Sequence, residues 1–252
     1  MAFDQEIASR LIIPADYKEG IHCEAAQELL DGVRGTGVVI KIGTITTART
    51  GWVVPQQEVA AHDLYAFADT KAADVLNTVR DTLDIVMDEN PFLVNMHAEA
   101  SDAAIEGFVE LASQKREKFG EAAGLITLAV TVLTDTKEKQ VQREYGRTRE
   151  QEVLRRAKKA KEFGFDGVVC SAEELDVLSK DSETADMEKV VAAIRPIWSI
   201  ADGQQNIVTP SEAIKRGATR LVVGSPITKQ YKNIGETQLD AVEAVLQEIK
   251  EA

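Results

Sequence analysis

The sequence predicts an α/β fold, specifically a single-domain (β/α)8 TIM barrel, and two observations support this prediction. Eight short apolar runs, rich in β-branched residues, recur along the 252 residues, and each begins about 26 to 42 residues after the one before it. This interval fits a strand followed by a crossover helix, and near-continuous apolar runs are typical of parallel strands covered on both faces. The predicted strands begin at Leu11, Val38, Leu64, Phe92, Leu125, Gly167, Ile194 and Arg220.

Helix signals fill the intervals between these runs. Thr209, followed by Pro210 and Glu212, is typical of a helix start, and Ser171 with Glu174 has the spacing of a capping box. The amphipathic periodicity predicts long helices at 73–89, 101–119, 149–163 and 238–249.

Because no long stretch is left over, we predict one domain over 1–252. Lid-like loops are expected near 135–150 and 201–208, at the C-terminal mouth of the barrel. A solvated helical extension is an equally good interpretation of 135–150. An open doubly wound sheet is the alternative fold, but the turn after the first strand, 16–20, lacks the G-x-G-x-x-G fingerprint of that fold.

Composition and charge exclude several classes of function. The formal net charge of −13 at pH 7 makes the chain repel nucleic acids and anionic membranes. Cys23 and Cys170 lie far apart and the three histidines have no zinc-type spacing, so we expect neither a disulfide nor a bound metal. The N-terminus lacks a signal-peptide pattern, and no apolar run reaches the roughly 20 residues of a membrane span. We therefore expect a cytoplasmic protein with no nucleic acid and no membrane partner.

Charged side chains cluster where the first three predicted strands end. Asp16 follows the first strand and Lys41 lies in the second. The third ends in Asp69, Lys71 and Asp74, which form a D-x-K-x-x-D element. Because the C-terminal ends of barrel strands meet at one mouth, these side chains should lie together, and buried charge is costly unless it is used. The alternative is that the D-x-K-x-x-D spacing arises by chance and that Lys41 only extends its ammonium group to solvent. The position of the element at a strand end favours a catalytic site.

These motifs, which extend over nearly the whole chain, resemble those of the orotidine 5'-phosphate decarboxylase family in its bacterial-like form. The resemblance implies metal-free decarboxylation of orotidine 5'-monophosphate to uridine 5'-monophosphate, a step of de novo pyrimidine biosynthesis, with no cofactor. The matching segments are 11–16, 41–43, 68–74, 77–78, 130–134, 167–174, 194–196, Gln204, 209–213, 223–224 and 226–227.

The resemblance also implies a role for each candidate site residue. Lys41, Asp69, Lys71 and Asp74 would form an alternating charge network, in which Lys71 protonates C6 of the pyrimidine as carbon dioxide leaves. A homodimer is implied, with Asp74 and Thr78 contributed across the interface. The chemistry agrees, because flanking carboxylates keep a lysine cationic and a cation stabilises a developing carbanion. The implied substrate-binding residues are Asp16, Lys41, Thr78, Thr134, Arg195, Gln204, Gly224 and Ser225.

Three departures from the family pattern lie at the phosphate end of the implied site. Ser225 and Asn206 stand where the family has arginines, and 192–193 is Ala-Ala in place of Pro-Gly. A serine hydroxyl cannot replace the bidentate fork of an arginine on phosphate. We therefore expect weaker nucleotide binding than is usual in the family, with the backbone N–H groups of 224–225, Gln204, and Arg195 or Lys229 as the remaining contacts.

Two other functions stay open. A magnesium-dependent sugar-phosphate decarboxylase or aldolase of the same suprafamily shares the D-x-K-x-x-D element, but such relatives have an acidic metal ligand where this chain has Lys41. A pseudoenzyme with impaired phosphate binding would explain the departures, but the intact charged residues argue against it. His97, at the end of the fourth strand, is interpreted as a hydrogen-bonded structural histidine.

Overall fold

Eight parallel strands close into a barrel in the computed structural model, which describes residues 4–120, 124–199 and 208–252. Each strand pairs with the next along the chain, and the eighth closes against the first, where Leu11 lies opposite Leu221. The predicted (β/α)8 fold is confirmed. The strands are β1 (Leu11–Pro14), β2 (Val39–Ile42), β3 (Tyr65–Ala72), β4 (Leu93–His97), β5 (Ile126–Val130), β6 (Gly167–Cys170), β7 (Glu188–Val191) and β8 (Arg220–Val222).

Helices cover the outside of the barrel, and the predicted helix starts are confirmed. Thr209 accepts a hydrogen bond from the Glu212 N–H, and the capping box of Ser171 with Glu174 opens a short 3-10 turn. No helix in these three ranges is both long and apolar enough to cross a bilayer. The α-helices described are α1 (Gln5–Ala8), α2 (Glu24–Gly32), α3 (Thr44–Thr50), α4 (Val53–Ala61), α5 (Leu76–Asp88), α6 (Asp102–Phe119), α7 (Glu138–Tyr145), α8 (Arg149–Phe163), α9 (Leu175–Lys180), α10 (Pro210–Lys215), α11 (Ser225–Thr228) and α12 (Gln238–Lys250).

The alternation of side chains along the strands builds the floor of a site. One buried apolar cluster comprises Ile12, Val39, Phe67, Leu93, Leu128 and Val190, from six of the eight strands. Lys41, Asp69 and Asn95 each follow a member of this cluster by two positions on the same strand. Because successive side chains of a strand point to opposite faces, these three continue the inner row one layer nearer the C-terminal ends. An apolar layer is thus followed by a polar layer at the mouth.

The prediction of the seventh strand at Ile194 is wrong. The strand is β7, six residues earlier, and its first two residues are charged. Lys189 is nevertheless buried, because its ammonium group donates to the carbonyls of Ala185 and Met187 at 2.8 and 3.0 Å. Around Ile194 the chain is irregular, since Pro196 has no N–H to donate and the Arg195 N–H bonds to the Val208 carbonyl rather than to a strand.

Of the two segments predicted as lid-like loops, the structure describes the first in full and only the end of the second. The first, 135–150, contains α7 and the start of α8, with Gly146 in the left-handed conformation between them. Most of the second, at 201–207, lies outside the described residues. Closure of either segment over a ligand stays a prediction. Ala193, between the two, has a φ of 63°, a left-handed conformation that glycine adopts at lower cost than alanine.

Candidate active site

A cavity of about 210 Å³ opens at the C-terminal mouth of the barrel. Its polar lining consists of Lys41, Asp69, Lys71 and Thr134, and these belong to β2, β3 and the segment after β5. The rest of its wall is apolar or weakly polar, formed by Phe67, Val130, Val132, Leu133, Val169, Cys170, Ala192 and Val222. The charged groups therefore face a small space with mostly apolar walls, and apolar walls strengthen the electrostatic effect of such groups on a bound molecule.

Asp69 is the centre of a chain of alternating charges. Its Oδ2 lies 3.0 Å from the Lys41 Nζ and 2.5 Å from the Lys71 Nζ, and the Lys41 Nζ lies 3.2 Å from Asp16 Oδ2. The Asp69 side chain is only 7% exposed, whereas that of Lys71 is 37% exposed. The structure therefore brings together four of the predicted site residues, with Lys71 the more accessible partner of a buried carboxylate.

Burial disfavours the charged forms of Asp69 and Lys41, but the opposite charges beside them outweigh this effect. Burial raises the pKa of Asp69, yet the ammonium groups of Lys41 and Lys71 bring that pKa below its ordinary value of 3.8. Burial lowers the pKa of Lys41, yet the carboxylates of Asp69 and Asp16 bring it above its ordinary value of 10.5. Both groups are therefore charged at neutral pH.

Asn95 fixes this arrangement, although it belongs to none of the motifs that mark the site in the sequence. Its Nδ2 donates to Asp69 Oδ1 at 2.6 Å, and its Oδ1 accepts the Lys71 N–H at 2.8 Å. The hydroxyl of Thr70 in turn donates to the Asn95 carbonyl. Asn95 is completely buried. The signal available in the sequence is an amide at an inward position of an otherwise apolar strand, where a polar group needs a partner.

The backbone around Lys71 has an irregular conformation. Lys71 has a φ of 48°, in the left-handed region, and the pairing of β3 with β4 shifts register between Ala68 and Ala72. A bulge of this kind re-aims side chains at the end of a strand. Strained residues of this kind cluster at functional sites, which agrees with the position of Lys71 in the cavity.

Asp16 connects this cavity to a second one of about 570 Å³. A Cβ at position 43 would lie 2.5 Å from Asp16 Oδ1, so the approach of this carboxylate to β2 requires Gly43. The second cavity is lined by Asp16, Gly224, Ser225 and Lys229, together with Pro14, Tyr17, Lys18, Glu19, Ala25, Glu28, Thr228, Tyr231 and Gln238. The predicted phosphate end, at 224–225, therefore lies on the side of Asp16.

The remaining predicted residues are placed less centrally. Asp74 and Thr78 are exposed and line neither cavity; an Asp74 carboxylate oxygen accepts the Val75 N–H at 2.7 Å. Thr134 is exposed at the rim of the smaller cavity, and Arg195 is half-buried and lines neither. Gln204 and Asn206 lie outside the described residues.

His97 is interpreted from the sequence as a hydrogen-bonded structural residue, but one of its ring nitrogens lacks a hydrogen bond to any residue that the structure describes. Its Nδ1 is buried and has no hydrogen-bond partner within the described parts of the chain. Burial brings the pKa of this histidine below its ordinary value of 6.5. Within the same parts, no three His, Cys, Asp or Glu side chains are grouped closely enough to hold a metal ion.

Charged side chains at the C-terminal ends of barrel strands define an active site of the TIM-barrel type. Over residues 9–238 the chain matches the model of the family described as "Orotidine 5'-phosphate decarboxylase / HUMPS family". The chain belongs to this family.

Individual relatives agree with this assignment. The orotidine 5'-phosphate decarboxylase of Chromohalobacter salexigens is 35% identical over 228 residues, which are 89% of this chain and 91% of the relative. That of Dictyoglomus thermophilum is 36% identical over 188 residues, which are 71% of this chain and 76% of the relative. The crystal structure of the Lactobacillus acidophilus orotidine 5'-phosphate decarboxylase superposes with a TM-score of 0.74 at 24% identity, over 95% of this chain and 98% of that one, and supports the fold.

Proposed function

We propose that this protein decarboxylates orotidine 5'-monophosphate to uridine 5'-monophosphate without a metal or cofactor. The observation that carries the proposal is the Asp69 carboxylate held between the Lys41 and Lys71 ammonium groups at the edge of an apolar cavity. The names of the curated relatives support the same substrate.

Lys71 would act as the cation and the acid. As the bond from C6 to the carboxylate breaks, its electron pair stays on C6 and carbon dioxide leaves. The Lys71 ammonium stabilises the charge that develops on C6 and then transfers a proton to form the C6–H bond. Asp69 holds that ammonium in place, since their charged atoms are 2.5 Å apart. Because this charge arises only in the transition state, the arrangement favours the reaction over simple binding.

The magnesium-dependent alternative fits the charge arrangement less well. The Lys41 ammonium lies 3.2 Å from Asp16 and 3.0 Å from Asp69, and so it occupies the space between two potential carboxylate ligands. A divalent cation in that space would meet a like charge and would have few free oxygen ligands. The geometry therefore favours the metal-free reaction over the magnesium-dependent one.

A direct assay tests the proposed reaction. Orotidine 5'-monophosphate given to EDTA-treated protein should be consumed, with a fall in its ultraviolet absorbance, and Lys71→Ala should lower kcat by at least about 100-fold because the acid is lost. Lys118→Ala, which removes an exposed lysine of α6, is the matched control and should keep full activity. No consumption at millimolar substrate by the unaltered protein would refute the proposal.

The phosphate would be bound weakly in this chain, at the cavity that Ser225 lines. Ser225 offers a hydroxyl and a backbone N–H there, and Lys229 lines the same cavity. A lysine provides a point charge but not the bidentate geometry of an arginine. We therefore expect the affinity for the substrate to be limited at this end of the site.

The variant Ser225→Arg should lower KM for orotidine 5'-monophosphate by roughly 10-fold, since a hydrogen bond to a charged group contributes about 1.5 to 3 kcal/mol. Orotidine, which lacks the phosphate, is the control substrate, and its kcat/KM should not change. Steady-state kinetics with both substrates checks this prediction. An unchanged KM for the nucleotide would show that phosphate binding is not limited by Ser225.

A homodimer would complete the site. Asp74 and Thr78 are exposed, like the rest of 74–78, and line neither of the two cavities described above. Beside them, Val75, which precedes α5, is 67% exposed, and Ile85, on α5, is 57% exposed. These exposed apolar side chains near Asp74 and Thr78 support a surface that a second subunit covers. In a symmetric dimer the same surface serves both subunits, so each would supply Asp74 to the other.

Mixing two inactive variants tests this arrangement. Lys71→Ala and Asp74→Ala subunits, exchanged at equal amounts, should recover about a quarter of the wild-type activity, because half of the dimers are mixed and each then contains one intact site. The measurement is the decarboxylation rate before and after subunit exchange. If both residues of a site came from one subunit, every site would keep a defect, and the mixture would stay inactive.

A further inference from the structure

Arg149 is a buried cation at a position where a helix disfavours positive charge. It is the first residue of α8 and is 8% exposed. The N-terminal turn of a helix carries the positive end of its dipole and favours acids, and Glu150 and Glu152 follow that rule. A buried arginine at this position must therefore be held by interactions from elsewhere in the chain.

The main partner is Glu174, which follows β6. The Arg149 Nε donates to Glu174 Oε1 at 2.5 Å, and Glu174 is completely buried. The other oxygen of Glu174 accepts the N–H and the hydroxyl of Ser171, both at 2.6 Å. The guanidinium is therefore anchored to the capping box at the end of β6, next to the cavity wall.

The rest of the guanidinium binds the segment that follows β5. Its terminal nitrogens donate to the carbonyls of Leu133 at 3.2 Å and of Thr136 at 2.5 Å. The backbone N–H of Arg149 also donates to Glu138 Oε2 at 3.0 Å, at the start of α7. Leu133 and Thr134 belong to this segment and line the cavity beside Lys71. The side chain of Arg149 thus ties the segment after β5 to the end of β6, and its backbone N–H adds a bond to the start of α7.

We propose that Arg149 is a positioning residue of the active site, which fixes 132–136 so that Leu133 and Thr134 line the cavity that Lys71 also lines. This inference rests on the proposed decarboxylation. The planar guanidinium holds its donors in a fixed fork toward one carboxylate and two carbonyls, whereas a lysine ammonium is a point charge on a flexible stem. A buried ion pair is in itself weak evidence for stability. Arg149 occupies an electrostatically disfavoured position and bonds several groups at the site, which points to a role in function.

A matched arginine lies at the opposite end of the barrel. Arg116, in the last turn of α6, pairs with Asp166 and donates to the Leu125 carbonyl at 2.9 and 3.0 Å. It therefore makes the same kinds of bond before β5 that Arg149 makes after it. In barrels of this type the end before the strands supports stability and the end after them holds the site.

The test compares Arg149→Lys with Arg116→Lys. Arg149→Lys should lower kcat/KM for orotidine 5'-monophosphate by roughly 10-fold to 100-fold, because displaced groups at a site cost about that much. Amide hydrogen exchange over 131–137 should become faster in the same variant. Arg116→Lys should keep kcat/KM within about 2-fold and leave that exchange unchanged, whatever it does to the melting temperature. Circular dichroism checks that both variants are folded.

Glu174→Gln provides a second variant if Arg149→Lys does not fold, since it keeps an oxygen for Arg149 but loses the charge. It should change kcat/KM and exchange over 131–137 in the same direction. Unchanged kcat/KM and exchange in these variants, or an equal loss of kcat/KM in Arg116→Lys, would overturn the inference. If the unaltered protein does not consume the substrate, the proposed function fails, and the exchange comparison alone decides whether Arg149 positions the segment.

Discussion

The rest of the site depends on the Asp69 carboxylate, which is buried in β3 and ionised between two lysines. An unpaired charge at this depth would be strongly disfavoured, and the acid would take up a proton instead. Lys41 and Lys71 remove that penalty on one side, and the Asn95 amide satisfies the remaining oxygen. Asp16 extends the alternation by pairing with Lys41. The opposite charges are therefore already paired in the protein alone, as a preorganised site requires.

This arrangement imposes requirements on the backbone. Lys71, two residues beyond Asp69, has a left-handed backbone conformation, and the pairing of β3 with β4 shifts register there. Gly43 allows Asp16 to approach β2 where any side chain would collide with it. The strain at Lys71 is held by Asn95, whose side-chain oxygen accepts the Lys71 N–H. The regular barrel below supplies the rigidity that keeps these irregular residues in place.

Much of the fold follows from local sequence patterns, because strands and helices have short periods. Seven of the eight predicted strands and the start of α8 agree with the structure. The position of the seventh strand does not follow from apolar patterning, because β7 begins with two charged residues and Lys189 is buried through bonds to the carbonyls of Ala185 and Met187. Lys41, Asp69 and Lys71 are recognisable because they interrupt apolar strands. Asn95 and Arg149 act through bonds to residues about 25 positions away, which periodicity and motif spacing do not encode.

The ionisation of Asp69 is best measured directly, by following its side-chain carboxyl in a ¹³C NMR titration of the folded protein, with Asp69→Asn to assign the resonance. Its pKa is lowered in the fold, so the stability it contributes is complete above pH 3.8 and is lost only as the pH falls through the lower folded value. We expect the resonance to keep its ionised position from pH 7 down to 3.8, or to the onset of acid unfolding. A midpoint at or above pH 3.8 in the folded protein would contradict a carboxylate stabilised between two lysines.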